Sequence, residues 1–236
     1  RHTWKNYLKY EARNQPMPVA IMIGHHPLYY MAAATTAAYG LDEFEIAGGY
    51  LGKPVPLVKC ETVDLEVPAD AEIVLEGSIP PNYREEEGPF SEFQDYYITG
   101  TGKNPVVEYR CLTRRRDAIF KNLQNGSEME GCVFHKVPMS AAIYRRLKDV
   151  GGGPLLHNVI ALPGIFGLAV QMTPRFYGEA KNLLMAALSS EYQHPKAAIA
   201  VDADVDIFNP AELLWALATR VDPARDIVVI PGTHNH

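Results

Sequence analysis

The apolar pattern of this chain changes its period near residue 120, and that change limits the possible folds more than any single residue does. Before it, short runs rich in β-branched and aromatic residues are bounded by Pro, Gly and Asn: Val55 to Cys60, Ala71 to Gly77, Tyr96 to Thr99 and Val106 to Thr113. Such runs are expected to form a β-rich layer or barrel. After it, helical and extended patterns alternate. Ser140 to Val150 reads as helix, Asn158 to Leu162 and Leu168 to Met172 as strands, and Tyr177 to Ser190 as helix. Ala197 to Val201 is next extended, Pro210 to Thr219 helical and Ile227 to Ile230 extended. That rhythm predicts an α/β layer. The polar stretch Asn122 to Gly131 is either the linker between the halves or a long surface loop. With 236 residues, 47% of them hydrophobic, the chain can fill one large core or two smaller ones.

Ahead of the β-rich run, Trp4, Tyr7, Leu8 and Ala12 share one helical face, and Pro16-Met17-Pro18 ends that helix before the strand Val19 to Ile23. Gly24-His25-His26 forms a loop, Pro27 suits a first helical turn, and Leu28 to Ala38 is expected to be a helix closed by Gly40. Asp42 can cap a further short helix carrying Glu43 and Ile46, which Gly48-Gly49 should weaken or end.

Composition excludes several functions. A formal charge of -6 leaves no broad basic surface for sequence-independent nucleic-acid binding. No run approaches the roughly 20 apolar residues of a membrane span, and the start carries no secretory signal, so a cytoplasmic protein is expected. Cys60, Cys111 and Cys132 are too widely spaced for a disulfide framework and are expected to be reduced and buried. The first residue is Arg, and the last residues, Thr233 to His236, follow directly on a strand-like run; both ends are read as those of a central fragment of a longer protein.

The segment Arg84 to Phe93 is the richest in chemistry. Glu85, Glu86, Glu87 and Glu92 crowd four carboxylates into eight residues, and Gly88-Pro89 must turn the chain between the last two. Crowded carboxylates raise the pKa of at least one member, and an acid that keeps its proton near neutrality can protonate carbon. Charge runs also commonly face water, and spacing alone favours a solvated acidic loop. Glu43, with His2, His25 and His26, lacks zinc-site spacing; it could share a hard cation such as Mg²⁺ or Mn²⁺ with phosphate oxygens, or simply cap its helix. Gly100-Thr101-Gly102-Lys103 departs from a phosphate loop and is expected to be a hairpin turn. Gly151-Gly152-Gly153 reads as a helix stop. Asp202, Asp204 and Asp206 could bind a cation at a strand end, but are better explained as caps of the helix near Pro210.

Glu87-Gly88-Pro89-Phe90-Ser91-Glu92 resembles the E-G-P-F-G-E-like motif of the UbiD family of decarboxylases. Val58 to Thr62, Val67-Pro68-Ala69, Ala71 to Gly77 and Leu214 to Asp226 are similar to that family in the same order. The resemblance implies an α+β fold: a split β-barrel flavin-binding portion over residues 1–120, followed by an α/β oligomerisation domain over residues 128–236. It also implies prenylated FMN, supplied by a flavin prenyltransferase, with a divalent metal (Mn²⁺ or Mg²⁺) and K⁺. The implied activity is reversible, non-oxidative decarboxylation of an aromatic or α,β-unsaturated carboxylic acid, by a homodimer or higher oligomer.

By motif position Glu92 is the acid that protonates the carbon left by CO₂. Glu87 joins an Arg-Glu-Glu network that orients the substrate carboxylate. Glu43 and His2 match metal ligands, and Glu43 also holds the flavin phosphate. Ala34, Thr35 and Thr36 fall where the family's backbone passes the flavin. Ser91 stands where the family usually has Gly, and the family's Asn and Arg would lie upstream of His2. Two other readings remain open: a non-catalytic cofactor-binding or scaffold subunit of a carboxylase complex, and a flavin reductase on a related barrel, which would oxidise NAD(P)H with unmodified FMN. His25, His26, Tyr29 and Tyr30 point to a polar or phenolic substrate.

Overall fold

The structure is a computed structural model that describes residues 2–92, 96, 97, 100–124, 126 and 128–233. It contains helices and open sheets, and it divides into two units. The first comprises residues 1–33 and 37–127. The second comprises residues 128–236 together with Ala34–Thr36.

The first unit begins with α1 (His2–Glu11), β1 (Met17–Ile23), α2 (Pro27–Ala34) and α3 (Glu43–Leu51). The strands β2 (Leu57–Lys59), β3 (Glu66–Pro68), β4 (Ile73–Ile79), β5 (Arg84–Glu87), β6 (Gly102–Pro105) and β7 (Glu108–Arg114) follow. β4 lies between β1 and β7, antiparallel to both, while β2–β3 and β5–β6 are separate antiparallel pairs. Gly77 sits where the β4–β7 register shifts, and a Cβ there would stand 2.0 Å from the Glu108 carbonyl oxygen, so only glycine fits the approach of the two backbones.

The central strand carries a buried carboxylate, Glu76, 1% exposed. It accepts hydrogen bonds from the Glu61 N–H (2.9 Å), the Thr62 N–H (2.7 Å) and the Thr62 hydroxyl (2.7 Å). Burial alone would raise its pKa, but these donors outweigh burial and hold the carboxyl below its ordinary value.

Several boundaries differ from the sequence expectation. α3 runs through Gly48-Gly49 to Leu51 and is closed by Gly52 at φ 69°. Ala47 on this helix is fully buried with Tyr29 and Ala32, and that packing outweighs the roughly 1 kcal/mol that a helical glycine costs. α2 stops at Ala34, four residues short of the expected end. Gly102 and Lys103 lie in β6 paired with β5 rather than in a hairpin turn. The expected strand Tyr96 to Thr99 is described only at Tyr96 and Tyr97, where Tyr97 bridges Ser91; Ile98 and Thr99, like Phe93, lie outside the described residues. Cys132 is buried, but Cys60 and Cys111 are half-buried, Cys111 because β7 is an outer strand of its sheet.

The second unit contains α4 (Gly131–Leu147), β8 (Leu155–Ala161), β9 (Gly167–Thr173), α5 (Glu179–Leu188), β10 (Ala197–Val201), α6 (Pro210–Arg220) and α7 (Pro223–Asp226). β9 is central, antiparallel to β8 and parallel to β10, and its Leu168, Ala169 and Val170 are fully buried. Ile143 and Leu147 of α4, Leu183 and Ala187 of α5, and Leu213 and Ala216 of α6 supply the helical side of the core. α4 begins nine residues before the expected Ser140 and contains Pro138; the residue is buried there beside Met139, and packing offsets the lost ladder bond. α4 ends at Leu147, three residues short of the expected Val150, with Lys148 as its C-cap; the three glycines all take positive φ but lie beyond it, Gly151 and Gly152 in a separate 3-10 turn, Val150–Gly152. Asn209, not an aspartate, caps α6. Asp204 instead receives both guanidinium N–H groups of Arg220, at 2.9 and 2.7 Å. Ile227–Ile230 pairs with no strand among the described residues, and all four side chains are exposed. Among the described residues, no helix is long and apolar enough to cross a membrane.

The Glu76 cluster predicts a pH-dependent stability. Its folded pKa is depressed, so its contribution is complete above the unfolded value of about 4.3 and disappears as the pH falls through the folded value. Glu76→Gln should cost about 2 kcal/mol at neutral pH, since hydrogen bonds to a charged group are lost. The gap from the unsubstituted protein should narrow in acid. Urea unfolding of both proteins at neutral pH and at about pH 4 checks this, and equal stability at neutral pH would contradict it.

Candidate active site

The acidic motif is built on the β5–β6 pair. Arg84, at the start of β5, is fixed to α1: its guanidinium donates to Glu11 Oε1 at 2.8 Å and to the Tyr7 hydroxyl at 2.5 Å, and Tyr7 donates to Glu11 at 2.7 Å. Tyr7 is 2% exposed, so this polar knot closes the buried side of the helix. Hydrogen bonds from Tyr7 and Arg84 hold the Glu11 carboxyl below its ordinary pKa, and burial foremost raises that of Tyr7. The helix carrying His2 and the strand leading to Glu87 are thereby tied together.

Glu85, Glu86 and Glu87 are exposed in β5 and alternate across the strand, so the carboxylates do not crowd one point. Glu87 accepts from the Asn104 side-chain amide of β6 at 2.5 Å. Gly88 then adopts φ 90°, a conformation that favours glycine, and the Gly88-Pro89 bond is cis. The turn is closed tightly enough that a Cβ on Gly88 would stand 3.3 Å from the Gly100 carbonyl oxygen. Glu92 lies beyond it, half-buried, with its N–H directed to the Tyr96 carbonyl at 3.4 Å. Glu87 and Glu92 thus flank one turn, and no hydrogen bond joins their side chains among the described residues.

His2 and Glu43, far apart in sequence, do meet: His2 Nδ1 lies 3.5 Å from Glu43 Oε1. Asp42 caps α3 by accepting the Phe44 N–H at 2.8 Å, which sets the first helical turn and so the direction of Glu43. The pair offers one imidazole nitrogen and one carboxylate, both partly open to solvent, a donor set suited to a divalent cation completed by other oxygens. Among the described residues there is no cluster of three or more His, Cys, Asp or Glu arranged for a metal ion.

Ala34, Thr35 and Thr36 are half-buried at the end of α2 and group with the second unit, where the Thr36 N–H donates to the Tyr192 hydroxyl at 2.9 Å. Sequence reasoning gave no role to Tyr192, because a lone tyrosine 156 residues away carries no spacing signal. The aromatic hint fares differently residue by residue. Tyr29 is 5% exposed and donates to Asp70, and burial together with that carboxylate pushes its pKa up to about 12, so it is a core residue. Tyr30 stacks with His25 at 4.2 Å between ring centres and receives the Lys121 ammonium over its ring at 5.0 Å. Burial foremost lowers the His25 pKa.

Comparison with known proteins places this geometry. The family model for the UbiD 3-octaprenyl-4-hydroxybenzoate carboxy-lyase Rift-related domain matches residues 1–128, and that for the UbiD C-terminal domain matches residues 132–236. Anhydromevalonate phosphate decarboxylase of Methanothermobacter thermautotrophicus is 35% identical over 237 residues, 98% of this chain and 54% of that protein. Phenolic acid decarboxylase of Sedimentibacter hydroxybenzoicus is 37% identical over 229 residues, 94% of this chain and 47% of that protein. An evolved dimeric form of the UbiD-class enzyme HmfF from Pelotomaculum thermopropionicum, solved in complex with prFMN, superposes with a TM-score of 0.92 at 37% identity, covering 98% of this chain and 54% of that one. The chain therefore spans about half the length of the relatives it matches. With both halves matched in order and the acidic turn intact between its two glutamates, the chain belongs to the UbiD family.

Proposed function

We propose that this chain contributes the proton donor and part of the cofactor site of an enzyme that reversibly decarboxylates an aromatic or α,β-unsaturated carboxylic acid with prenylated FMN. The observation that carries the reading is the Gly88 turn, which has Glu87 and Glu92 on its two sides in a chain of this family. The named activities of two relatives, on a phenolic acid and on anhydromevalonate phosphate, support an unsaturated acid as substrate. The bound flavin supplies the electron sink that lets a carbon–carboxylate bond break.

The residues of this chain perform the remaining tasks. Glu92, half-buried, delivers the proton to the carbon that carried the carboxylate and regains it from solvent. Glu87, held by the Asn104 amide, belongs to the Arg-Glu-Glu network that orients the substrate carboxylate and tunes the acid. His2 and Glu43 would hold a divalent metal, Mn²⁺ or Mg²⁺, which would supply positive charge for the flavin phosphate. Ala34, Thr35 and Thr36 line the flavin, with K⁺ as a further ion. The flavin comes from a separate prenyltransferase. Residues 1–120 form the flavin-binding portion and residues 128–236 the oligomerisation domain.

The second half carries an apolar groove of about 970 Å³ in one molecule, lined by Leu184, Met185, Leu188, Leu217, Val228 and Ile230 among others. On α6, Leu213 is buried as the helical pattern requires, whereas Leu214 and Leu217 are 66% and 46% exposed. An apolar area of this extent fits a homodimer or higher oligomer formed through this half.

Glu92→Gln in the full-length protein, co-expressed with a flavin prenyltransferase, should keep its flavin spectrum but lose roughly 10²-fold or more in turnover. Solvent deuterium incorporation at the product carbon reads the step directly; undiminished turnover would remove Glu92 from the acid role. Glu43→Ala should yield colourless protein, because a charged ligand of the metal is gone. Metal analysis and an absorption spectrum decide this, and full occupancy of both would make Glu43 a helix-end residue only. For the assembly, light scattering should give at least twice the monomer mass, and Leu217→Glu should reduce it. A monomer at micromolar concentration would refute an interface here.

A further inference from the structure

We infer that Tyr192 is the positioning residue of the flavin-lining segment Ala34–Thr36, holding its backbone in the form that receives a flavin mononucleotide; the inference rests on the function proposed above. The segment begins where α2 ends, and Thr36 belongs to neither helix nor strand, so its N–H has no ladder partner from regular structure. That N–H donates to the Tyr192 hydroxyl at 2.9 Å across 156 residues of sequence.

The acceptor is itself fixed. Tyr192 is 1% exposed, one of the largest fully buried side chains of the protein. A buried tyrosine hydroxyl needs a polar partner, and a ring packed on all sides leaves that hydroxyl little room to move. Its backbone is fixed as well. The Ser190 hydroxyl donates to the Tyr192 carbonyl at 3.3 Å, and the Ser190 N–H bonds the Ala187 carbonyl at the end of α5. A continuous path of packed and hydrogen-bonded groups thus runs from α5 through Ser190 and Tyr192 to Thr36. Ala34–Thr36 group with the second unit, which contains Tyr192, although Ala33 and Ala37 belong to the first. Ala34 is the last residue of α2, and Thr35 and Thr36, without regular structure, keep one conformation through contacts from outside them, among which the tyrosine hydroxyl holds the Thr36 N–H. In this role Tyr192 acts through the backbone of Thr36 and touches neither substrate nor reacting atoms.

The test is FMN binding by full-length protein, followed through quenching of flavin fluorescence and the visible circular dichroism of the bound flavin. Tyr192→Phe removes only the hydroxyl. It should weaken FMN binding about fivefold, the equivalent of one hydrogen bond of about 1 kcal/mol, and alter the dichroism band. Leu183→Ala, in the same core but away from the hydroxyl, serves as the control and should lower the melting temperature at least as much without changing FMN affinity. Equal affinity of the Tyr192→Phe and unsubstituted proteins would overturn the inference while leaving the proposed function standing. Equal weakening in both variants would also overturn it, since general loosening of the core would then explain the effect. Failure of the unsubstituted protein to bind FMN at all would overturn the proposed function and this inference with it.

Discussion

The buried carboxylate of Glu76 organises the first half of the molecule. A charge taken out of water is tolerated only when donors surround it, and here the donors are mainly backbone N–H groups of the turn at Glu61 and Thr62. The central strand β4 therefore fixes a turn that lies outside its own sheet and that leads from β2 towards β3. Around the same strand, β1 and β7 complete the sheet, and Gly77 lets β7 approach at the bulge. One side chain and one missing side chain on a single strand determine how the rest of this unit is arranged.

The acidic turn depends on a second polar knot of the same kind. Arg84 joins α1 to β5 through Tyr7 and Glu11, and β5 leads directly into Glu87 and Gly88. Helix α1 also carries His2, which meets Glu43 from α3. Glu87 and His2 thus stand on elements joined by hydrogen bonds, while Glu92 follows in the irregular chain beyond the Gly88 turn. Asp42 adds a helix cap one residue before Glu43. Catalytic geometry within tenths of an ångström requires this sort of support from neighbouring side chains.

In the second half the balance is different, because stability there comes from an apolar layer. β9 is buried along most of its length, and three helices contribute regular apolar faces to it. The exposed apolar residues on α6 and the run Ile227–Ile230 lie outside that layer. Polar contacts act at the ends of elements, as where Arg220 clamps Asp204 after β10. The Tyr192 hydroxyl adds a polar contact at the core directed at a segment from the other half of the sequence.

The sequence by itself determined the alternation of helix and strand beyond residue 130, the change of rhythm near residue 120, the family through its glutamate motif, and the cap at Asp42. Each of these is a local or ordered pattern that survives in one dimension. Tertiary structure alone decided that α3 passes through Gly48-Gly49, because burial of Ala47 against Tyr29 outweighs helix propensity. It moved Tyr29 from a substrate candidate to the core and gave Asp204 to Arg220 instead of to a helix cap. The pairing of His2 with Glu43 was named from family likeness, but their approach to 3.5 Å is a result of packing two helices. The hydrogen bond from Thr36 to Tyr192 had no trace in the sequence, because a contact between residues 156 positions apart has neither period nor spacing, and only the closed chain brings donor to acceptor.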